Sequence, residues 1–134
     1  MFPIAAAGCL RSLQRCCRGA AAIEFALVAI PLFMFIFGII EMGRVLWLQN
    51  ALHYAVEEAS RCAAVDATTC GTPDLVLDFA ASHAGTTFPT SIFTYDPSAT
   101  CGKQVSAIYR MNLIIPFVSE SVKLTSSSCF PSSS

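Results

Sequence analysis

The chain has 134 residues, 54% of them hydrophobic and 13% charged, with a formal net charge of −1 and a mean hydropathy of +0.61. An ordinary soluble domain carries roughly a quarter charged residues, and a chain left unfolded by its composition needs low hydrophobicity and high net charge, so neither class fits. A near-zero charge offers no clustered basic surface for phosphate, which removes nucleic acid as an expected partner. The length allows one small domain plus one further element.

Residues 1–18 contain Arg11, Arg15 and Arg18 and no acidic residue. Gly19 to Ile40 follow as a run of 22 residues whose only charge is Glu24, and from Phe25 onward 16 uncharged residues stand in a row. At 1.5 Å per residue a helix over the 22 residues reaches roughly 33 Å, enough to cross a bilayer core of about 30 Å. The reading is a leader over 1–19 and a transmembrane helix over 20–41. The charges after the span are mixed (Glu41, Arg44, Glu57, Glu58 and Arg61), so the positive-inside bias places the N-terminus in the cytoplasm and the remainder outside. A cleaved secretory signal has a shorter apolar stretch ending in a small-x-small site. Glu41-Met42-Gly43-Arg44 has no such form, which favours a retained anchor.

The helical pattern continues past the span. Val45, Leu48, Leu52, Ala55, Val56, Ala59, Cys62 and Ala63 recur at spacings of three and four, with Gln49, Asn50, His53, Glu57, Glu58 and Arg61 on other faces. That is an amphipathic stripe, and it predicts one continuous helix from about Ala20 to Val65, with residues 42–66 as its exported part. Pro31 falls inside the span, where a lost hydrogen bond and a kink are tolerated.

From residue 67 to 134 the chain reads as a small α+β head. Thr72-Pro73 is a helix start, Leu75, Val76, Phe79 and Ala80 form one face, and Gly85 can end the helix near Ala84. Ser91 to Tyr95 is predicted as a short strand. Lys103 to Ile115 is a second, with Val105, Ala107, Tyr109, Met111, Leu113 and Ile115 on one face; Ile108 and Ile114 break the alternation and suggest that the other face is partly covered. Pro116 ends this strand, and Ser121 to Ser127 return antiparallel. The expected fold class is therefore α+β: a long N-terminal helix packed on a small antiparallel sheet.

The seven cysteines divide by compartment. Cys9, Cys16 and Cys17 fall on the cytoplasmic side, and Cys62, Cys70, Cys101 and Cys129 on the exported side. Four cysteines in an oxidising compartment read as two disulfides with three possible connectivities; we favour Cys62 with Cys70 and Cys101 with Cys129. A zinc site of all four is the competing reading, and it lacks a CxxC pair.

The informative junction is Arg18-Gly19-Ala20-Ala21-Ala22-Ile23-Glu24-Phe25. A carboxylate inside an apolar helix is costly and usually functional, although Glu24 could also snorkel back to the headgroups from its place about 7 to 8 Å below Gly19. Glycine followed by AAAIEF resembles a type IV prepilin cleavage site, and the stretch from Arg18 to Val65, with its apolar run ending in FGIIEMGR, is similar to the TadE-like pseudopilins of the tight-adherence (Flp) pilus system. The resemblance implies a minor pseudopilin in the bacterial inner membrane with a periplasmic head. It further implies a cut between Gly19 and Ala20 by a prepilin peptidase, and contact with other pseudopilins and the assembly machinery. Glu24, followed by Phe25, would pair with the new N-terminal ammonium on a neighbouring subunit. Ala20 departs from the aromatic residue that type IV pilins usually have after the cut, and the added head is larger than major Flp pilins carry.

Glu41 and Arg44 are spaced to pair along the helix or to contact a partner subunit. Cys16 and Cys17 lie at the membrane edge as lipidation candidates. His53 and His83 stand alone, with surface or packing roles. No Ser/His/Asp set, paired carboxylates or Gly-rich phosphate loop occurs, so no enzyme and no cofactor are expected. The alternative function is an uncleaved, signal-anchored periplasmic binding module; processing at Gly19 separates the two.

Overall fold

The computed structural model describes residues 17–114 and 120–131. The leader up to residue 16, the turn containing Pro116 and the last three serines lie outside the described residues, as do Cys9 and Cys16. Five regular elements follow in order: helix α1 over Cys17–Val65, helix α2 over Pro73–His83, and strands β1 (Phe93–Ala99), β2 (Gly102–Asn112) and β3 (Ser121–Phe130). The chain divides into two units, Met1–Ile40 and Glu41–Ser134.

In the first unit the described residues are helical throughout, with Pro31 inside the helix. Phe25 is 73% exposed and Phe35 74%, and none of the residues from Gly19 to Ile40 is buried. This stretch is long and apolar enough to cross a membrane.

The second unit has a core. From α1 it takes Leu52, Ala55, Val56, Ala59 and Cys62, from α2 Val76 and Ala80, and from the sheet Phe93, Val105, Ala107, Met111 and Leu124. The α1 residues are spaced three or four apart because only that period keeps one stripe of a 3.6-residue helix facing one neighbour. Full burial of a side chain such as Leu52 or Val56 contributes about 1.5 to 3 kcal/mol. Hydrogen bonds add register to this packing: Gln49 Nε2 donates to the Thr125 carbonyl at 3.0 Å, and Ser60 Oγ lies 3.1 Å from Ser128 Oγ.

The sheet is an antiparallel meander in the order β1-β2-β3. Phe93 pairs with Ala107, and Asn112 with Ser121 at the far end. Along β2 the side chains of Val105, Ala107 and Met111 are buried, the period-2 outcome of a pleated strand with one covered face. Ile108 and Ile114 are 52% and 69% exposed, so the partial cover expected for the second face is absent at both positions. The strand also stops at Asn112 rather than continuing to Ile115, and β3 runs three residues further than expected, to Phe130.

The first strand is displaced as well. Thr90–Ile92 form a 3₁₀ turn, closed by Ile92 N–H donating to the Pro89 carbonyl at 3.3 Å, and β1 begins only at Phe93, where pairing with β2 starts. Proline fixes its own φ and supports a turn at this point, which moves the strand two residues along. Helix α2 starts at Pro73 after Thr72, whose side chain makes no capping hydrogen bond. Gly85 follows its end with φ +67°, the left-handed conformation in which glycine carries no Cβ penalty.

Candidate processing and assembly segment

Gly19, Ala20, Glu24 and Phe25 all lie within the first nine described residues of α1 and are exposed. Among the described residues a Cβ at Gly19 would meet nothing within 4 Å, so no packing among them demands glycine there. Ala20 and Glu24 stand four apart, one above the other on the same helix face. Among the described residues no cation lies within ion-pair distance of Glu24.

Glu41 is held differently. Arg44 Nη1 donates to its Oε1 at 2.7 Å, its side chain is 7% exposed, and the Arg44 side chain is 41% exposed. Its second oxygen, Oε2, is buried without a hydrogen-bond partner among the described residues. The carboxylate is thus buried, and Arg44 is the more accessible member of the pair.

Disulfides join Cys62 to Cys70 and Cys101 to Cys129, with Cα atoms 5.8 and 6.1 Å apart. The first ties the last turn of α1 to the loop before α2. The second ties the β1–β2 turn to the end of β3. In that turn Gly102 has φ +125°, and a Cβ there would run into the Phe130 carbonyl oxygen. Within the loop closed by Cys62–Cys70, Asp66 accepts four hydrogen bonds, from the N–H and hydroxyl groups of Thr68 and Thr69 at 2.6 to 3.1 Å. These bonds, led by the Thr68 hydroxyl, hold its carboxyl well below the usual carboxylate range. Sequence reading passed over Asp66, although an aspartate followed at two and three residues by threonine is an Asx-turn signal.

His53 and His83 have local roles. His53 Nδ1 lies 3.3 Å from Ser126 Oγ and its Nε2 3.6 Å from Glu57; the His83 ring stacks on Phe79 with centroids 3.8 Å apart. No group of three or more metal-ligating side chains occurs among the described residues.

The segment beginning at Gly19, with its acidic residue five positions on, matches a known family. The model described as TadE-like protein covers residues 19–61. Residues 19–61 are similar to that family. The family is one of structural proteins associated with tight-adherence pili, not an enzyme family, and the apolar helix of this chain is compatible with a single-pass membrane protein. No curated protein and no solved structure matches the chain.

Proposed function

We propose that this TadE-like protein is a minor pseudopilin that takes part in assembling a tight-adherence (Flp) pilus. A prepilin peptidase releases it from its leader after Gly19, with the N-terminus in the cytoplasm and the disulfide-bonded head in the periplasm. The observation that carries this is the position of Glu24: five residues past a glycine on an exposed helical stretch, at the edge of the family match. Glycine before the scissile bond presents no side chain to a narrow protease site. Cleavage creates an ammonium at Ala20, and Glu24 carries the carboxylate that meets such an ammonium on a neighbouring subunit. In a medium of low dielectric that pairing offsets much of the cost of burying both charges and fixes the axial register between helices. Glu41 and Arg44 belong to this reading as a subunit contact made through Arg44.

Glu24→Gln tests the assembly role. The variant is expected to insert and be processed normally but to leave cells without pili; normal piliation refutes the pairing. N-terminal sequencing of the membrane-extracted protein tests the cut, and a chain that begins at Met1 in cells with the peptidase favours the uncleaved binding module instead.

A further inference from the structure

The uncharged stretch of α1, Phe25 to Ile40, covers about 24 Å at 1.5 Å per residue, roughly 6 Å less than a hydrocarbon layer of about 30 Å. Four more residues close the difference. On the N-terminal side they would include Glu24, which is exposed and, in the single chain before any neighbouring subunit supplies an ammonium, has no cation at ion-pair distance among the described residues. On the C-terminal side they are Glu41 to Arg44, whose charges already meet each other at 2.7 Å, with the carboxylate buried. A charge that is paired and enclosed is far cheaper to hold beside hydrocarbon than a free one.

The large side chains that face outward within and just past this pair are apolar. Met42 is 61% exposed, Leu46 56% and Trp47 55%, and tryptophan favours the boundary between lipid and water. The sheet brings a fourth apolar residue to the same end of the head. Ser60 meets Ser128, His53 meets Ser126 and Gln49 reaches Thr125, so lower positions on α1 lie beside lower positions on β3. Ser121 of β3 pairs with Asn112 of β2, which places the end of β2 toward Glu41. Ile114, two residues further, is exposed.

We infer that the bilayer boundary falls at Trp47 rather than at Ile40. Met42, Leu46, Trp47 and Ile114 then form a rim by which the head rests in the lipid interfacial layer, with the Glu41–Arg44 pair at the hydrocarbon edge. This rests on the membrane-anchor reading above. The occupant is lipid because the rim continues directly from the membrane-spanning stretch of the same helix.

Trp47 is the single tryptophan of the chain, so its fluorescence reports its own surroundings. The full chain is reconstituted in phosphatidylethanolamine/phosphatidylglycerol vesicles carrying brominated acyl chains. Trp47 emission is expected to be shifted to the blue of tryptophan in water, quenched more by bromines near the headgroups than by bromines near the chain ends, and protected from iodide. Emission as in water with iodide quenching overturns the proposal, as does blue-shifted emission untouched by any lipid bromine, which would mean a protein partner covers the residue. Ile114 is read in Trp47→Phe/Ile114→Trp, where shallow lipid quenching is expected and aqueous emission refutes the rim. Trp47→Phe/Phe33→Trp places the reporter mid-span. If it is quenched by deep bromines while Trp47 is aqueous, the boundary alone is wrong; if it too is aqueous, the membrane anchor itself fails.

Discussion

Phe35 and Leu52 lie on the same helix, yet Phe35 is 74% exposed and Leu52 fully buried. Between Gly19 and Ile40 no side chain is buried in the chain itself; between Glu41 and Val65 a stripe of apolar side chains disappears into the head's core. Both stretches are rich in apolar residues, and the difference lies in their spacing. Where polar residues recur at helical period, one face is reserved for a protein neighbour and the rest for water. Where none recurs, every face requires an apolar surrounding, which lipid would supply in the proposed membrane anchor. One helix therefore carries two instructions, and the pair Glu41–Arg44 marks where one gives way to the other.

The strongest way to break this contrast is to truncate one residue from each region. Leu52→Ala should lower the stability of the head by about 2 to 5 kcal/mol, through lost burial and an unfilled cavity, measured by denaturant unfolding of the full chain in micelles. Phe35→Ala should leave that unfolding transition within about 0.5 kcal/mol of the parent. Equal losses would mean that the two regions share one core.

The disulfides sharpen the same contrast, since both lie in the second unit. In the chain-entropy model a loop of sequence separation 28 gains more from closure than one of 8, about 3.5 against about 2.5 kcal/mol. Replacing Cys101 and Cys129 together by serine should therefore destabilise the head more than replacing Cys62 and Cys70, in the same unfolding assay. The reverse order would show that the Asp66 loop, not the β-turn, limits the stability of the head.

Glycines divide along the same line. Gly102→Ala forces a side chain into a positive-φ site against the Phe130 carbonyl and should cost about 1 to 3 kcal/mol. Gly38→Ala meets nothing within 4 Å and should leave the melting temperature of the head unchanged.

The smallest effect concerns acid. Four hydrogen bonds depress the Asp66 pKa in the folded chain, so its contribution is fully present above the unfolded carboxylate value of about 3.9 and is lost progressively as pH falls below it. The parent should hold its loop stability from neutral pH down to about 4 and lose part of it only as pH falls further below the unfolded carboxylate value, read as faster amide exchange at Thr68 and Thr69 after correction for intrinsic rates. Asp66→Ala should lack that pH-dependent change.

The long helix and the buried face of β2 were legible in the sequence because each rests on a period that burial enforces, 3.6 for the stripe from Leu52 to Cys62 and 2 for Val105, Ala107 and Met111. Strand limits were less so. Ser91, Ile92 and Phe93 look alike to a propensity argument, and only pairing with Ala107 decides that the strand begins at Phe93. Ile108 looked like a residue needing cover, but a single exposed isoleucine on a sheet face is tolerated without it. At the candidate site, Gly19 and Glu24 were visible as an anomaly of charge in an apolar run. Burial of Glu41 was not visible, because spacing alone gives the same pair whether it faces solvent or the interior. Ser60 with Ser128 depends on elements 68 residues apart, beyond any local pattern.

The central claim is that the chain is made as a leader-bearing precursor and matures at Gly19. Intact-mass measurement of the membrane-extracted protein, from cells with and without the prepilin peptidase, tests it most directly. The account predicts a mass corresponding to residues 20–134 with the peptidase and a longer precursor without it. The same mass in both strains would contradict it.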